Sequence, residues 1–233
     1  MKNITYILFF LFLGVFRVHG AGMQPETPLL LVSESDGEAS ITITNTDDKA
    51  ALLYVRTENI AEDRDSGIKL IPTQPVTRVE AGKTQKVRFI LQTKVPLTKE
   101  HMMRAKFSGV PTEAPVDTTK SQVKVDLIFT QDIPVLIQPK GQVENQETWK
   151  FLEAKQQGAL LTIHNPSSYV VRLSPELKLP SGNVVTVLPQ AYILPQTSVS
   201  GKLTNSNTVE QLVLQPLSSY GFKLKPQPLN VSH

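Results

Sequence analysis

Val123 to Ile137, VKVDLIFTQDIPVLI, is the stretch whose reading decides the fold. Its odd positions are Val123, Val125, Leu127 and Phe129, then, after a polar Gln131, Ile133, Val135 and Ile137. The even positions, Lys124, Asp126, Ile128, Thr130, Asp132, Pro134 and Leu136, are mixed. A period of two held this long specifies β structure, with one face almost continuously apolar. A strand of that length also outruns the usual strand of about 5–6 residues. Pro134 cannot donate a ladder hydrogen bond, so the strand is expected to lie at a sheet edge or to bend there and change partners. An exposed apolar edge is normally an aggregation hazard that proteins blunt or cover. Its retention here implies that it is used.

Working outward, the N-terminus reads as an export signal. Lys2 precedes the apolar run Ile7 to Phe16, Arg17 closes it, and the small residues Gly20 and Ala21 follow, so residues 1–20 are expected to be removed after export. That run is too short to span a bilayer comfortably. Setting aside Lys2 and Arg17 from the 24 basic residues leaves a net charge of about +1 against 21 acidic ones. Such a balance argues against nucleic acid as a partner. There is no cysteine, which excludes a disulfide framework, Cys-ligated zinc and a thiol nucleophile.

Between Pro25 and the long strand the chain alternates short apolar runs with turns. Pro25 to Val32, Ala39 to Asn45, Ala51 to Asn59, Lys69 to Pro72 with Val76 to Val79 as an interrupted edge strand, Thr84 to Leu91 and Met102 to Val110 read as strands. Ser35-Asp36-Gly37, Asn45 to Asp48 and Ala81-Gly82 read as turns, and Thr112 to Lys120 as a polar loop. Strands spaced by about 8–12 residues predict an immunoglobulin-like sandwich. Gln138-Pro139-Lys140-Gly141 marks a boundary, giving a first domain over 21–138 and a second over 139–233. In the second, Trp149 to Leu152, Ala159 to His164, Tyr169 to Leu173, Val184 to Leu188, Ser198 to Leu203 and Val209 to Leu214 predict another β-sandwich.

Several of these segments resemble the periplasmic chaperones of the chaperone–usher pathway. Val76 to Lys83, running on to Val87-Arg88-Phe89, resembles the family's P-x-x-x-x-L-x-P-G turn and following strand. Val95-Pro96, Lys99-Glu100 and Val110-Pro111 resemble its signature strand. Glu147-Thr148-Trp149, His164 to Tyr169 and Ser219-Tyr220-Gly221 resemble its E-x-W, N-P-T-P-Y and D-Y-G motifs. The resemblance implies two sandwiches in an L, the first lending its last strand to a pilin subunit that lacks one, with delivery to an outer-membrane usher. Val123, Val125, Leu127 and Phe129 would then fill the subunit's groove while backbone groups supply the missing ladder. With alternation, Leu127 is expected to face the subunit and Ile128 the protein's own core. Ile133, Val135 and Ile137 are assigned to the core. The short loop and absence of cysteine resemble the short-loop class.

The resemblance also implies a clamp for the subunit's terminal carboxylate, an Arg on the first strand and a Lys on the last. Leu29 and Pro134 stand at those positions, and neither side chain can bind a carboxylate. Arg104, Lys106 and Lys140 are candidate substitutes, set against the commoner role of strand charges as a solvated face. Glu100 keeps a place in the family's interdomain charge network, but Gln138 and Ser219 stand where an Arg and an Asp are usual.

His101, His164 and His233 fit no metal spacing and read as isolated surface or turn residues. No G-x-S-x-G elbow or paired-carboxylate motif supports catalysis, and no cofactor is implied. A secreted fibre subunit would be a single sandwich, and a carbohydrate-binding module would cluster aromatics, whereas one Trp and five Tyr are dispersed. Without a client the edge is expected to be hidden, by the same strand of a second copy or by the Thr112 to Lys120 loop.

Overall fold

The computed structural model describes residues 22–64, 67–112, 128–203 and 207–233. Through Gln138 the chain forms nine strands among the described residues. They are β1 (Met23–Pro25), β2 (Leu30–Ser33), β3 (Glu38–Asn45), β4 (Ala51–Asn59), β5 (Lys69–Pro72), β6 (Val76–Val79), β7 (Thr84–Gln92), β8 (His101–Pro111) and β9 (Thr130–Gln138). One sheet runs β1-β3-β7-β5 and the other β2-β9-β8-β4-β6. Inward residues of both sheets meet in one core, where the rings of Phe89 and Phe107 pack edge to face at 6.4 Å.

Pro25 to Val32 is thus two strands, not one. β1 pairs with β3 and β2 with β9, so the chain changes sheets across Glu26 to Leu29, where Pro28 interrupts the ladder. The interrupted edge strand also divides: β5 and β6 each end a different sheet. Gly37 and Gly82, at φ 66° and 65°, supply left-handed residues in the expected turns.

Nine further strands follow: β10 (Glu153–Gln157), β11 (Leu160–Asn165), β12 (Val171–Arg172), β13 (Glu176–Lys178), β14 (Val184–Val187), β15 (Tyr192–Ile193), β16 (Thr197–Lys202), β17 (Gln211–Leu214) and β18 (Gln227–Ser232). Seven hydrogen-bond in the order β14-β13-β17-β18-β10-β11-β16, and β12 pairs with β15. β18 joins the two layers, its Gln227 to Asn230 antiparallel to β17 and its Val231 and Ser232 parallel to β10. The free ends close together so tightly that a Cβ on Gly201 of β16 would lie 2.4 Å from Thr186 Oγ1 of β14. Trp149 to Leu152, expected as a strand, is mostly the 3-10 turn Thr148–Phe151.

The same device ends one strand in each sandwich. Asn45 and Asn165 are both 0% exposed. The Asn45 amide donates to the carbonyls of Lys49 (2.9 Å) and Val79 (3.0 Å). The Asn165 amide donates to those of Tyr169 (2.7 Å), Ile193 (3.1 Å) and Leu194 (3.2 Å). Each accepts on its Oδ1 the N–H two residues on, Asp47 or Ser167. Removing such an amide strands several buried carbonyls, at about 1–3 kcal/mol for each unsatisfied group. Asn45→Ala is expected to lower the stability of the first sandwich by about 2–3 kcal/mol, read from urea unfolding followed by fluorescence or circular dichroism.

Candidate functional site: an open edge beside the joint of two sandwiches

β9 is paired on both sides only at its end. Antiparallel to β8 it pairs from Thr130 with Ser108 to Ile137 with His101, but β2 covers only Val135 to Gln138. The Gln138 carbonyl accepts the Glu34 N–H (2.9 Å), so its backbone groups face the β2 side. By the period of two the backbone groups of Thr130, Asp132 and Pro134 face the same way. No strand among the described residues pairs with them there. Pro134 therefore stands where β2 pairing stops, with no N–H to leave unsatisfied. The expectation of an edge or a change of partner at this proline describes the geometry.

The side chains of the same strand sort as follows. Ile133, Val135 and Ile137 are buried in the first core, as assigned. Phe129 is 52% exposed. Ile128 is 56% exposed, contrary to the expectation that it faces the core. It precedes the first ladder pair, so no pleat turns it inward. Val123, Val125 and Leu127 lie outside the described residues, as do residues 1–21 and most of the Thr112 to Lys120 loop.

Leu29 and Leu136 are not solvent-facing. With Ile60 and Met102 they pack against Val170 and Leu194, and against half-buried Tyr192, of the second sandwich. Around this apolar joint run polar ties. Glu100, 4% exposed, accepts the Val170 N–H at 2.7 Å and the Gln138 amide at 3.3 Å, while its own N–H donates to the Ser168 carbonyl at 2.9 Å. Gln190 donates to Glu62, and the Tyr192 hydroxyl lies 3.5 Å from the same carboxylate. Burial, then Glu62, pushes the Tyr192 phenol up. Beside the joint opens a cleft of about 520 Å³, lined by Leu29, Glu100, Gln138, Trp149, Arg172 and Tyr220 among others.

The three candidate cations differ in their partners. Lys106 Nζ binds Glu58 at 2.6 Å. Arg104 stands directly across from Pro134 in the β8–β9 register and binds Asp132. Lys140 is exposed, and its backbone N–H donates to Glu34 at 2.9 Å. Arg172 was not anticipated. Its guanidinium donates to the Ser219 carbonyl, has no carboxylate partner among the described residues, and is lowered in pKa by burial and by the nearby Arg104. A lone cation inside the run Val170 to Leu173 was its sequence signal. His101 is also not a surface residue, being buried beside the joint with its Nδ1 2.8 Å from Asp63.

The family description "Pili and flagellar-assembly chaperone, PapD N-terminal domain" matches residues 22–143. The uncharacterized fimbrial chaperone YhcA of Escherichia coli is 45% identical over 224 residues, 96% of either chain. The chain belongs to the PapD-type pilus-assembly chaperones. MrkB, a chaperone protein of Klebsiella pneumoniae, is 22% identical over 227 residues, 95% of this chain and 96% of the other. A chain of the Salmonella enterica SafA pilin complex with the SafB chaperone shares the fold at TM-score 0.73 and 14% identity, over 91% of this chain and 97% of that one. The E. coli chaperone DraB does so at TM-score 0.71 and 17% identity, over 90% and 96%.

The buried carboxyl of Glu100 gives an expected pH dependence at the joint of this chaperone. Burial raises its carboxyl above the usual range, and the Val170 N–H and Gln138 amide only partly offset this. A raised acid favours its neutral form in the folded protein. Its stabilisation is therefore full below the unfolded value of 4.5 and is lost as pH rises through the folded one. Wild type is expected to lose stability as pH rises above that unfolded value, and to a greater extent than Glu100→Gln. At higher pH the variant should be about 1 kcal/mol more stable, in line with replacing a poorly compensated buried charge; parallel urea melts check both points.

Proposed function

We propose that this protein is a periplasmic chaperone that binds pilin subunits by adding the open edge of β9, and the residues before it, to an incomplete subunit sandwich, then passes the subunit to an outer-membrane usher. The observation that carries this is the unpaired edge Thr130 to Pro134, continued outward by exposed Ile128 and Phe129. A strand added there gains main-chain hydrogen bonds, and alternate side chains give it specificity. Val123, Val125, Leu127 and Phe129 are the side chains assigned to the subunit groove, each contributing about 1.5–3 kcal/mol on full burial. Export through the signal at residues 1–20 puts the protein in the periplasm.

For the subunit's terminal carboxylate, Arg104 is the substitute for the missing clamp. It stands beside Pro134, one strand over from the position where a Lys would otherwise be, and Arg172 adds a second guanidinium nearby. Lys106 is committed to Glu58, and Lys140 stands beyond the last residue of β9. Without a client, pairing with the same edge of a second copy is the competing occupant.

Co-expression with a pilin subunit tests this reading. Phe129→Asp, at an exposed position, is expected to leave the melting temperature within a few degrees and to lower subunit recovery at least tenfold, because the buried carboxylate costs several kcal/mol. Ile128→Asp should also fold. Arg104→Ala is expected to weaken a free-acid subunit about tenfold or more and an amidated one little, the scale of a charge-assisted bond. Equal losses for the two termini would return the anchor to Lys140 or to strand pairing alone.

A further inference from the structure

Arg104 is held in the free protein by a residue of the very strand it is to help a client join. Its Nε donates to Asp132 Oδ1 at 2.8 Å and its terminal nitrogen to the Asp132 backbone carbonyl, also at 2.8 Å. Asp132 is one of the three residues whose backbone groups face the open side of β9. Of the edge carbonyls on Thr130, Asp132 and Pro134, the central one is thus already taken by a guanidinium. The clasp fills both roles an arriving chain would fill: Asp132 supplies a carboxylate to Arg104, and Arg104 supplies a donor to an edge acceptor. The pair is only partly shielded, with side chains 34% and 39% exposed, so it can open without unfolding anything.

Resting on the strand-addition reading above, we propose that Asp132 is a resident stand-in for the client: its carboxylate and carbonyl occupy Arg104 until an incoming strand ending in a free carboxylate displaces them. The clasp acts twice. It supplies a donor to an edge that would otherwise present bare acceptors, and it makes the edge selective, because a strand bringing no anion must compete for Arg104 without replacing its ion pair. Other charges near the clasp are consistent with an exchange of anions rather than a fixed pair. Arg172 lies close enough to Arg104 for the two cations to disfavour each other, and its guanidinium has only the Ser219 carbonyl among the described residues. Tyr192, the cross-strand neighbour of Arg172, turns its hydroxyl toward Glu62.

The test uses the whole mature protein and a synthetic peptide of about fifteen residues alternating valine with threonine, made with a free carboxylate and as the amide, at low salt where exposed charges are least screened. Asp132→Asn keeps size and strand propensity while removing the competing charge. It is expected to bind the free-acid peptide about five- to tenfold more tightly than wild type and the amide within about twofold of wild type. Asp132→Ser is the second variant if the first does not fold. Wild-type binding that both variants leave unchanged, or tighten equally for acid and amide, overturns the stand-in while strand addition stands. Failure of every form to bind either peptide above a scrambled control overturns strand addition itself, and the clasp with it.

Discussion

The first sandwich is organised by a pairing that stops early. β2 runs parallel to β9 for four ladder positions, Val135 to Gln138, and then the chain turns across Leu29 to Glu26 into the opposite sheet. Had β2 continued along β9, the last strand would be an ordinary interior strand. Because it stops, Thr130 to Pro134 keep one side of their backbone unpaired while the other side is locked onto β8. Ile133, Val135 and Ile137 remain anchored in the core, which holds the strand in place. A donor strand needs that combination, since a mobile edge would lose ordering entropy on each association.

The second constraint is the joint. Glu100 links the ends of β8 and β9 to the strand after the Asn165 turn, and Leu29 and Leu136 fill the apolar contact beneath. The departures from the family's usual cations belong together here. An arginine at 29 would place a charge inside the cluster of Ile60, Met102, Val170 and Leu194, at a cost of several kcal/mol unless paired. With leucine there, the joint is apolar and the positive charge sits on β8 and β12, as Arg104 and Arg172. Gln138, neutral where an Arg is usual, then suits Glu100, which burial already drives toward its neutral form.

Much of this was legible in the chain because period-two alternation survives in β3, β4, β7 and the end of β9. Ile133, Val135 and Ile137 show it plainly, and Asn-Pro and Asp-Gly turns punctuate the rest. Two kinds of element were hidden. β10, Glu-Ala-Lys-Gln-Gln, carries a glutamine at an inward position. Gln156 is buried yet satisfied by the carbonyls of Gly158 and Asn207 and by the Val209 N–H, so the hydrophobic pattern that would announce the strand is missing. Trp149 to Leu152 has the opposite fault: its apolar side chains suggest a strand, but local bonds from Lys150 to Glu147 and from Leu152 to Trp149 coil it into a turn. Ile128 was misplaced by extending an alternation past the last residue of β8 that enforces it. Site chemistry was legible where residue type decides it, at Leu29 and Pro134, and not where it depends on which charges meet in space, as for Asp132 with Arg104.

Pro134 bears on which chain the edge accepts. The open side offers carbonyls at Thr130, Asp132 and Pro134 but N–H groups only at Thr130 and Asp132, so it is richer in acceptors than donors once Arg104 leaves the Asp132 carbonyl. Two copies of this edge placed side by side bring no free carboxylate to draw Arg104 away, so each keeps its Asp132 carbonyl occupied and its Pro134 without an N–H, and ladder bonds go unmade. A strand with a full set of N–H groups and a negative terminus has neither defect. The proline, a poor residue for an interior strand, thus weakens self-association with little loss toward a client, and the cation beside it acts in the same sense. An edge kept open for one kind of partner is protected less by covering it than by making it a poor match for itself.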